Sequence, residues 1–186
     1  MGKLVYTGIT SLDGYIADEA GKFDWSAPDE EVHAFINDLE RPVGTHLYGR
    51  RLYEVMRVWQ TVPVEGSPAE IADYAQIWRA AEKVVYSNSL TEVSTPKTRL
   101  EHGFDPADIR SLKESEASDL SIGGANLAAL AIEARLVDEF AVFVNPVAVG
   151  GGTKFLPDRV KVELELVDER RFGNGVVYLR YRTRGA

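Results

Sequence analysis

Residues 120–152 read LSIGGANLAALAIEARLVDEFAVFVNPVAVGGG, and this stretch decides the fold. It predicts a strand ending at Ile122, the pair Gly123-Gly124, a helix, a second strand and a glycine-rich turn. Glycines at a strand end leave the backbone open to another molecule and permit dihedrals that other residues avoid. The helix carries Leu127, Leu130, Ala131 and Ala134 at the i, i+3, i+4, i+7 spacing of a face packed on a sheet. Its first residues, Ala125 and Asn126, would turn free N–H groups toward the glycines, where the helix dipole attracts anions. A phosphate-bearing ligand is the natural reading. Two adjacent glycines are less than the full GxGxxG fingerprint, so a plain strand-to-helix turn remains the alternative.

Downstream, Phe140 to Val144 is a continuous apolar run, the mark of a strand buried on both faces. Lys161 to Val167 alternates polar and apolar, and Phe172-Gly173-Asn174-Gly175 turns the chain into Val176 to Tyr181, an antiparallel hairpin signalled by Asn-Gly. Upstream, Leu4 to Ser11, Thr45 to Tyr48, Lys83 to Tyr86 and Thr98 to Glu101 read as strands. Helical stripes lie between them: Val32, Phe35, Ile36 and Leu39 behind a Ser26 cap; Leu52, Val55, Met56 and Trp59; Ile71, Tyr74, Ala75 and Trp78 behind Pro68. A short helix starts at Asp105-Pro106. The expected fold class is α/β in three layers: a mixed, mostly parallel sheet of about eight strands, about four helices over both faces, and a C-terminal antiparallel hairpin. No linker or repeat interrupts residues 1–186, which read as a single domain.

Composition excludes several classes. The chain is 45% hydrophobic and long enough for a substantial core. With no cysteine there is no disulfide, thiol nucleophile or cysteine metal site, and His33, His46 and His102 are scattered, so no metal is expected. Against 21 basic residues stand 29 acidic ones, a net charge of −8 that repels nucleic acid and anionic membranes. No apolar run is long enough to span a bilayer, and the first strand begins without a charged-then-apolar leader, so the expected location is the cytoplasm.

Any anion site must therefore be local, and Gly49-Arg50-Arg51 offers one. A cation pair at a helix start opposes the dipole and is relieved when a phosphate docks there. Ser87-Asn88-Ser89 follows a buried strand, at the carboxyl end where open α/β sheets bind ligands, although turn formation explains these residues too. Asp18 to Trp25 has the composition of a flap over a ligand or of an ordinary loop. Asp29, Glu30 and Glu31 fall in a first helical turn, as dipole complements or as an acid turned into a cleft.

These stretches, in this order, resemble the dihydrofolate reductase-like superfamily. The nearest likeness is to the reductase domain of the bifunctional riboflavin-biosynthesis deaminase/reductase. Ser11-Leu12-Asp13-Gly14-Tyr15-Ile16-Ala17 resembles that domain's first strand and loop. Gly124-Ala125-Asn126-Leu127, Leu136-Val137-Asp138-Glu139 and Asn145-Pro146-Val147 through Gly152 resemble its C-terminal half. Tyr48-Gly49-Arg50-Arg51-Leu52-Tyr53-Glu54 is similar to the turn with which dihydrofolate reductase holds cofactor phosphates. Where the riboflavin-pathway domain has a glutamate before its glycine turn, this chain has Ile122.

The resemblance implies an NADPH-dependent reductase of a small heterocyclic or carbonyl substrate, with 5-amino-6-(5-phosphoribosylamino)uracil as the named example. Dihydrofolate reductase-type pterin reduction or a non-catalytic NADPH-binding module are the alternatives. Carried over, Gly49, Arg50 and Arg51 meet phosphates, Ser87 and Asn88 flank the adenosine end, and Gly123, Gly124, Ala125, Asn126 and Leu127 hold the pyrophosphate and nicotinamide region. Asp13 and Glu30 are the candidate catalytic groups. The resemblance further implies a cis peptide between Gly123 and Gly124 and a homodimer, with the C-terminal hairpin as the edge needing cover.

Overall fold

The apolar runs become strands, and the strands assemble in an order that their sequence positions conceal. The structure is a computed structural model describing residues 1–185. Its strands are β1 (Leu4–Thr10), β2 (Tyr15–Ala17), β3 (Val43–Gly49), β4 (Glu82–Tyr86), β5 (Thr98–Glu101), β6 (Asp119–Gly123), β7 (Glu139–Val144), β8 (Thr153–Lys154), β9 (Leu164–Arg171) and β10 (Val177–Thr183). The α-helices are α1 (Glu30–Glu40), α2 (Arg50–Met56), α3 (Ala69–Ala80), α4 (Pro106–Ser115) and α5 (Ala125–Glu133). An 8-stranded sheet runs β5-β4-β3-β6-β1-β7-β10-β9, parallel as far as β7 and antiparallel at the last two strands. Strands β2 and β8 form a small separate ribbon that the periodicity did not announce.

Side chains alternate across the pleat, so each central strand feeds two cores. Leu4, Tyr6, Leu47, Val84, Leu120 and Ile122 pack under Ile109 of α4 and under Leu127, Ala128, Ala131 and Ile132 of α5. On the other face Val5, Phe143 and Tyr178 meet Val32, Phe35, Ile36 and Leu39 of α1. There Tyr48 and Val85 also meet Tyr53 of α2 and Tyr74 and Trp78 of α3. The three-layer arrangement follows, and the mostly parallel sheet with its C-terminal hairpin is as the sequence predicts.

Local expectations are corrected at several points. Asp29, not Ser26, caps α1: its Oδ1 accepts from Val32 N at 3.0 Å, while Ser26 sits in a short 3-10 turn and donates to Phe23 O. The aspartate wins because its carboxylate reaches the orphan amides three residues ahead and also complements the dipole. The hairpin's first strand is Leu164–Arg171 rather than 161–167, since the Asn-Gly turn sets the register backward from itself. Leu130 and Val55, expected in buried stripes, are 44% and 43% exposed. The Gly123–Gly124 peptide is trans, as is every peptide bond among the described residues. Gly124 reverses the chain with φ 93° instead, which glycine adopts at little cost, whereas a cis bond without proline costs about 2.5–4 kcal/mol.

Candidate functional site

Strands β4, β3, β6, β1 and β7 present their carboxyl ends along one edge, where crevices in open α/β sheets take ligands. Gly49 stands opposite Tyr86 and Tyr48 opposite Gly123, so β4, β3 and β6 run out side by side. The two glycine turns meet here. A Cβ on Gly124 would lie 3.5 Å from Gly49 N and 3.6 Å from its Cα, and one on Gly123 would run into Leu52 Cδ2. No side chain caps α5 or α2, so the first amides of both helices are left without a side-chain partner. With only 7 residues α2 has a weak dipole, and its arginines are the larger part of what that turn offers an anion.

The structure brings Arg50 to the loop after β4. Its Nε donates to Glu54 Oε1 at 2.9 Å and its Nη1 to Ser89 Oγ at 2.9 Å. Ser87 Oγ accepts from Ser89 N and Leu90 N, so Ser87 shapes the turn while Asn88 is exposed beside it. Ser89, part of the Ser-Asn-Ser run but not among the residues the resemblance assigns to the adenosine end, is the hydroxyl that faces the arginine. Its presence in a Ser-Asn-Ser run was the available signal; nothing local said that Ser87 would be buried and Ser89 left exposed toward the arginine. Arg51 is exposed next to this group.

At the other end of the edge, Asp13 lies in the turn after β1. Val149 N and Gly150 N donate to its two carboxylate oxygens at 3.1 and 2.7 Å. The Ser11 hydroxyl, with the amides of Gly150 and Val149, holds this carboxyl below the usual carboxylate range. A carboxylate so held is a poor proton donor near neutral pH; here it clasps the glycine-rich turn after β7 to the turn after β1. Pairing of Tyr15 with Lys154 closes the same two segments into the β2–β8 ribbon.

Glu30 opens α1, exposed and without a hydrogen bond or ion pair among the described residues. It lies one turn before His33, whose ring meets Trp59 edge-on at 5.8 Å, on the side of α1 that faces the extension of α2. Leu52, Val55 and Trp59 follow one line along α2 and that extension. Leu52 abuts Gly123, Trp59 abuts α1, and Val55 between them is exposed. Glu30 is exposed at the start of α1. Two hollows, of about 390 and 450 Å³, lie one beside Arg57, Ser94 and Thr95 and one between Tyr86 and α4. Neither is lined by the glycine pair. No cluster of metal-ligating side chains, and no helix long and apolar enough to cross a membrane, occurs among the described residues.

Comparison with known proteins agrees with this fold. The model of the RibD C-terminal domain matches residues 2–178. The chain is 28% identical over 178 residues to the uncharacterized protein YyaP of Bacillus subtilis (strain 168), covering 94% of this chain and 92% of the relative. A solved structure from Shewanella sp. PV-4, named for riboflavin biosynthesis, superposes with a TM-score of 0.75 at 23% identity, covering 98% of this chain and 99% of that one. Dihydrofolate reductase from Enterococcus faecalis, complexed with NADP(H) and RAB-propyl, superposes with a TM-score of 0.64 at 16% identity, over 98% of this chain and 97% of that one. These structural likenesses speak for the fold.

Proposed function

Because the chain belongs to the RibD C-terminal domain family, we propose that it is an NADPH-dependent reductase of a small heterocyclic or carbonyl compound. The observation that carries this reading is the meeting of the Gly49 and Gly124 turns at the strand ends, with Arg50 bridging to Ser89 beside them. Bare backbone amides on one side and a guanidinium on the other suit a dinucleotide bearing an extra phosphate. In this reading Gly123 to Leu127 hold the pyrophosphate and nicotinamide region, and Arg50, Arg51, Ser87, Asn88 and Ser89 hold the adenosine end. The bound cofactor supplies the hydride, and the protein's share is to orient the acceptor carbon and manage a proton. Glu30 has a carboxylate free for that task; Asp13 keeps the neighbouring turn in place. The example supplied by the riboflavin-pathway resemblance is 5-amino-6-(5-phosphoribosylamino)uracil.

Titration of the protein with NADPH, followed by the loss of reduced-nicotinamide absorbance on adding pterins, pyrimidines and quinones, tests the proposal. Binding followed by substrate-dependent oxidation is expected. Binding without oxidation of any compound favours a non-catalytic NADPH-binding module, and absence of binding removes the reading. A second copy of the chain is the proposed partner. Strand β9 ends the sheet with unpaired backbone groups and with Leu166 and Val167 46% and 38% exposed. Sedimentation at twice the monomer mass of 20.6 kDa is expected.

A further inference from the structure

The hollow of about 390 Å³ opens where α2 and its 3-10 extension, residues 57–60, run beside the loop that follows β4. One wall of it is fixed from behind by the core. Thr95, 9% exposed, shares hydrogen bonds through Oγ1 with Tyr53 Oη at 3.1 Å and with Thr98 Oγ1 at 2.8 Å. Ser94 N donates to the same Tyr53 Oη at 2.9 Å. Tyr53 is buried among Tyr48, Tyr74 and Trp78, so the stretch that presents Ser94 and Thr95 to the hollow is anchored to a packed side chain. Such a wall is in place before any ligand arrives.

The opposite wall carries the charge. Arg57 and Gln60 come from the extension of α2, and neither side chain has a hydrogen bond or ion pair among the described residues. Ser94 Oγ, 3.4 Å from Tyr53 Oη, can still serve a ligand, whereas Thr61 Oγ1 donates to Val58 O. Glu54 lines the hollow one turn before Arg57. Its Oε1 accepts from Arg50 Nε at 2.9 Å, which leaves Oε2 as an acceptor without a donor. The hollow thus offers a guanidinium, a primary amide and a hydroxyl as donors, and one carboxylate oxygen as acceptor. Donors of this kind hold an oxyanion, the guanidinium in a two-pronged fork. The carboxylate oxygen adds a condition: it repels a bare oxyanion and is satisfied by one that brings a hydroxyl of its own.

We propose that this hollow is a second anion site, separate from the glycine turns, and that it takes a phosphate group accompanied by a hydroxyl. Hydrogen phosphate carries that hydroxyl on phosphorus, and the monoester of a small polyol carries it on carbon. In either case the phosphate oxygens accept from Arg57, Gln60 and Ser94, and the hydroxyl donates to Glu54 Oε2. The volume lies at the lower end of small-molecule sites, about 300–1,000 Å³, and leaves room for the polyol. Sulfate has the same shape as phosphate and no hydroxyl at neutral pH, so Glu54 discriminates against it. The site goes beyond the reductase reading and does not depend on NADPH binding at the strand ends.

The test titrates the full chain at low salt with inorganic phosphate, glycerol 3-phosphate and sulfate, read by calorimetry. Phosphate or its glycerol ester should bind at least about tenfold tighter than sulfate. Arg57→Ala should weaken phosphate binding by about tenfold or more, and Glu54→Gln, whose amide can donate, should bring sulfate to within about threefold of phosphate. Both side chains are exposed, so the variants should keep the circular dichroism of the wild type. Tighter binding of glycerol 3-phosphate identifies a monoester as the ligand, and tighter binding of inorganic phosphate identifies the free anion. Failure of both to bind overturns the proposal, as does sulfate binding equal to phosphate in the wild type. Phosphate binding that survives Arg57→Ala but is lost in Arg50→Ala overturns it too, because the anion then sits at the cofactor turn.

Discussion

The Arg50 turn and the Asp13 turn follow strands of one parallel sheet and open on one edge, yet they use charge in opposite ways. Arg50 reaches from α2 to Ser89, in the loop after β4, and keeps its guanidinium half exposed, available to a further anion. Asp13 spends both carboxylate oxygens on amides of the protein itself and has little left for a ligand. The difference teaches that an exposed charged residue at a strand end is functional or structural according to what already satisfies it. Between the two lies the glycine pair, which offers backbone alone.

The comparison breaks most severely if its middle is filled. Gly124→Val places a β-branched residue at φ 93° against Gly49, and NADPH binding should be lost, with the circular dichroism of the folded protein retained. Retained binding would remove the glycine turns from the cofactor site. Next in size, Arg50→Ala removes a charge-assisted bond of roughly 1.5–3 kcal/mol, so NADPH should bind about one to two orders of magnitude more weakly, and NADH much less so. Equal losses for both cofactors would assign Arg50 to the shared pyrophosphate. If neither Arg50→Ala nor Arg51→Ala changes NADPH affinity, the arginines are a solvated helix end.

Asp13→Asn sharpens the other half. It keeps the shape and removes the carboxylate that two amides share, so the turn at residues 149–150 should be cut faster by protease and substrate KM should rise about threefold, with kcat held within about twofold. A large fall in kcat at unchanged KM would make Asp13 a participant in the chemistry. Because its carboxyl lies below the usual range, the clasp persists above the ordinary carboxylate range and is lost only as pH falls through the depressed value.

A separate effect, on stability rather than on binding, comes from a pair of titratable groups buried in the fold. Glu40 and His46 are 7% and 2% exposed, with Oε2 and Nδ1 3.6 Å apart, too far for a hydrogen bond. Burial raises the Glu40 carboxyl from 4.5 to about 7, while burial and the nearby Lys83 lower His46 from 6.5 to about 3. The folded chain thus keeps a proton on Glu40 that the unfolded chain releases, and stability from that group falls as pH rises from 4.5 to about 7. His46 acts in reverse: the unfolded chain takes up a proton that the folded one refuses, and stability falls as pH drops from 6.5 toward 3. Between 4.5 and 6.5 the two slopes cancel, since each state carries one proton on the pair. Measured by urea midpoint, wild type should lose ground to Glu40→Gln across pH 4.5 to 7 and hold a constant difference above that range. A difference that does not change with pH would show that Glu40 is already ionised in the folded protein.

The amino-acid sequence determined the layers, most strands, the hairpin and the placing of glycines at strand ends. Each of these rests on period, turn chemistry or missing side chains over a few neighbouring residues, and such signals survive without knowledge of the rest of the chain. Tertiary structure decided what the sites contain. Arg50 and Ser89 are 39 residues apart and Asp13 and Gly150 are 137 apart, so neither contact has a local signature. Leu130 and Val55 follow buried periodicities but face outward, because helical spacing gives the line on which residues fall and not whether another element covers it. The cap of α1 passed from Ser26 to Asp29 because the chain forms a 3-10 turn first, and the helix begins only where that turn releases it. Periodicity is written residue by residue; coverage and pairing come from strands that meet only after the whole sheet has formed.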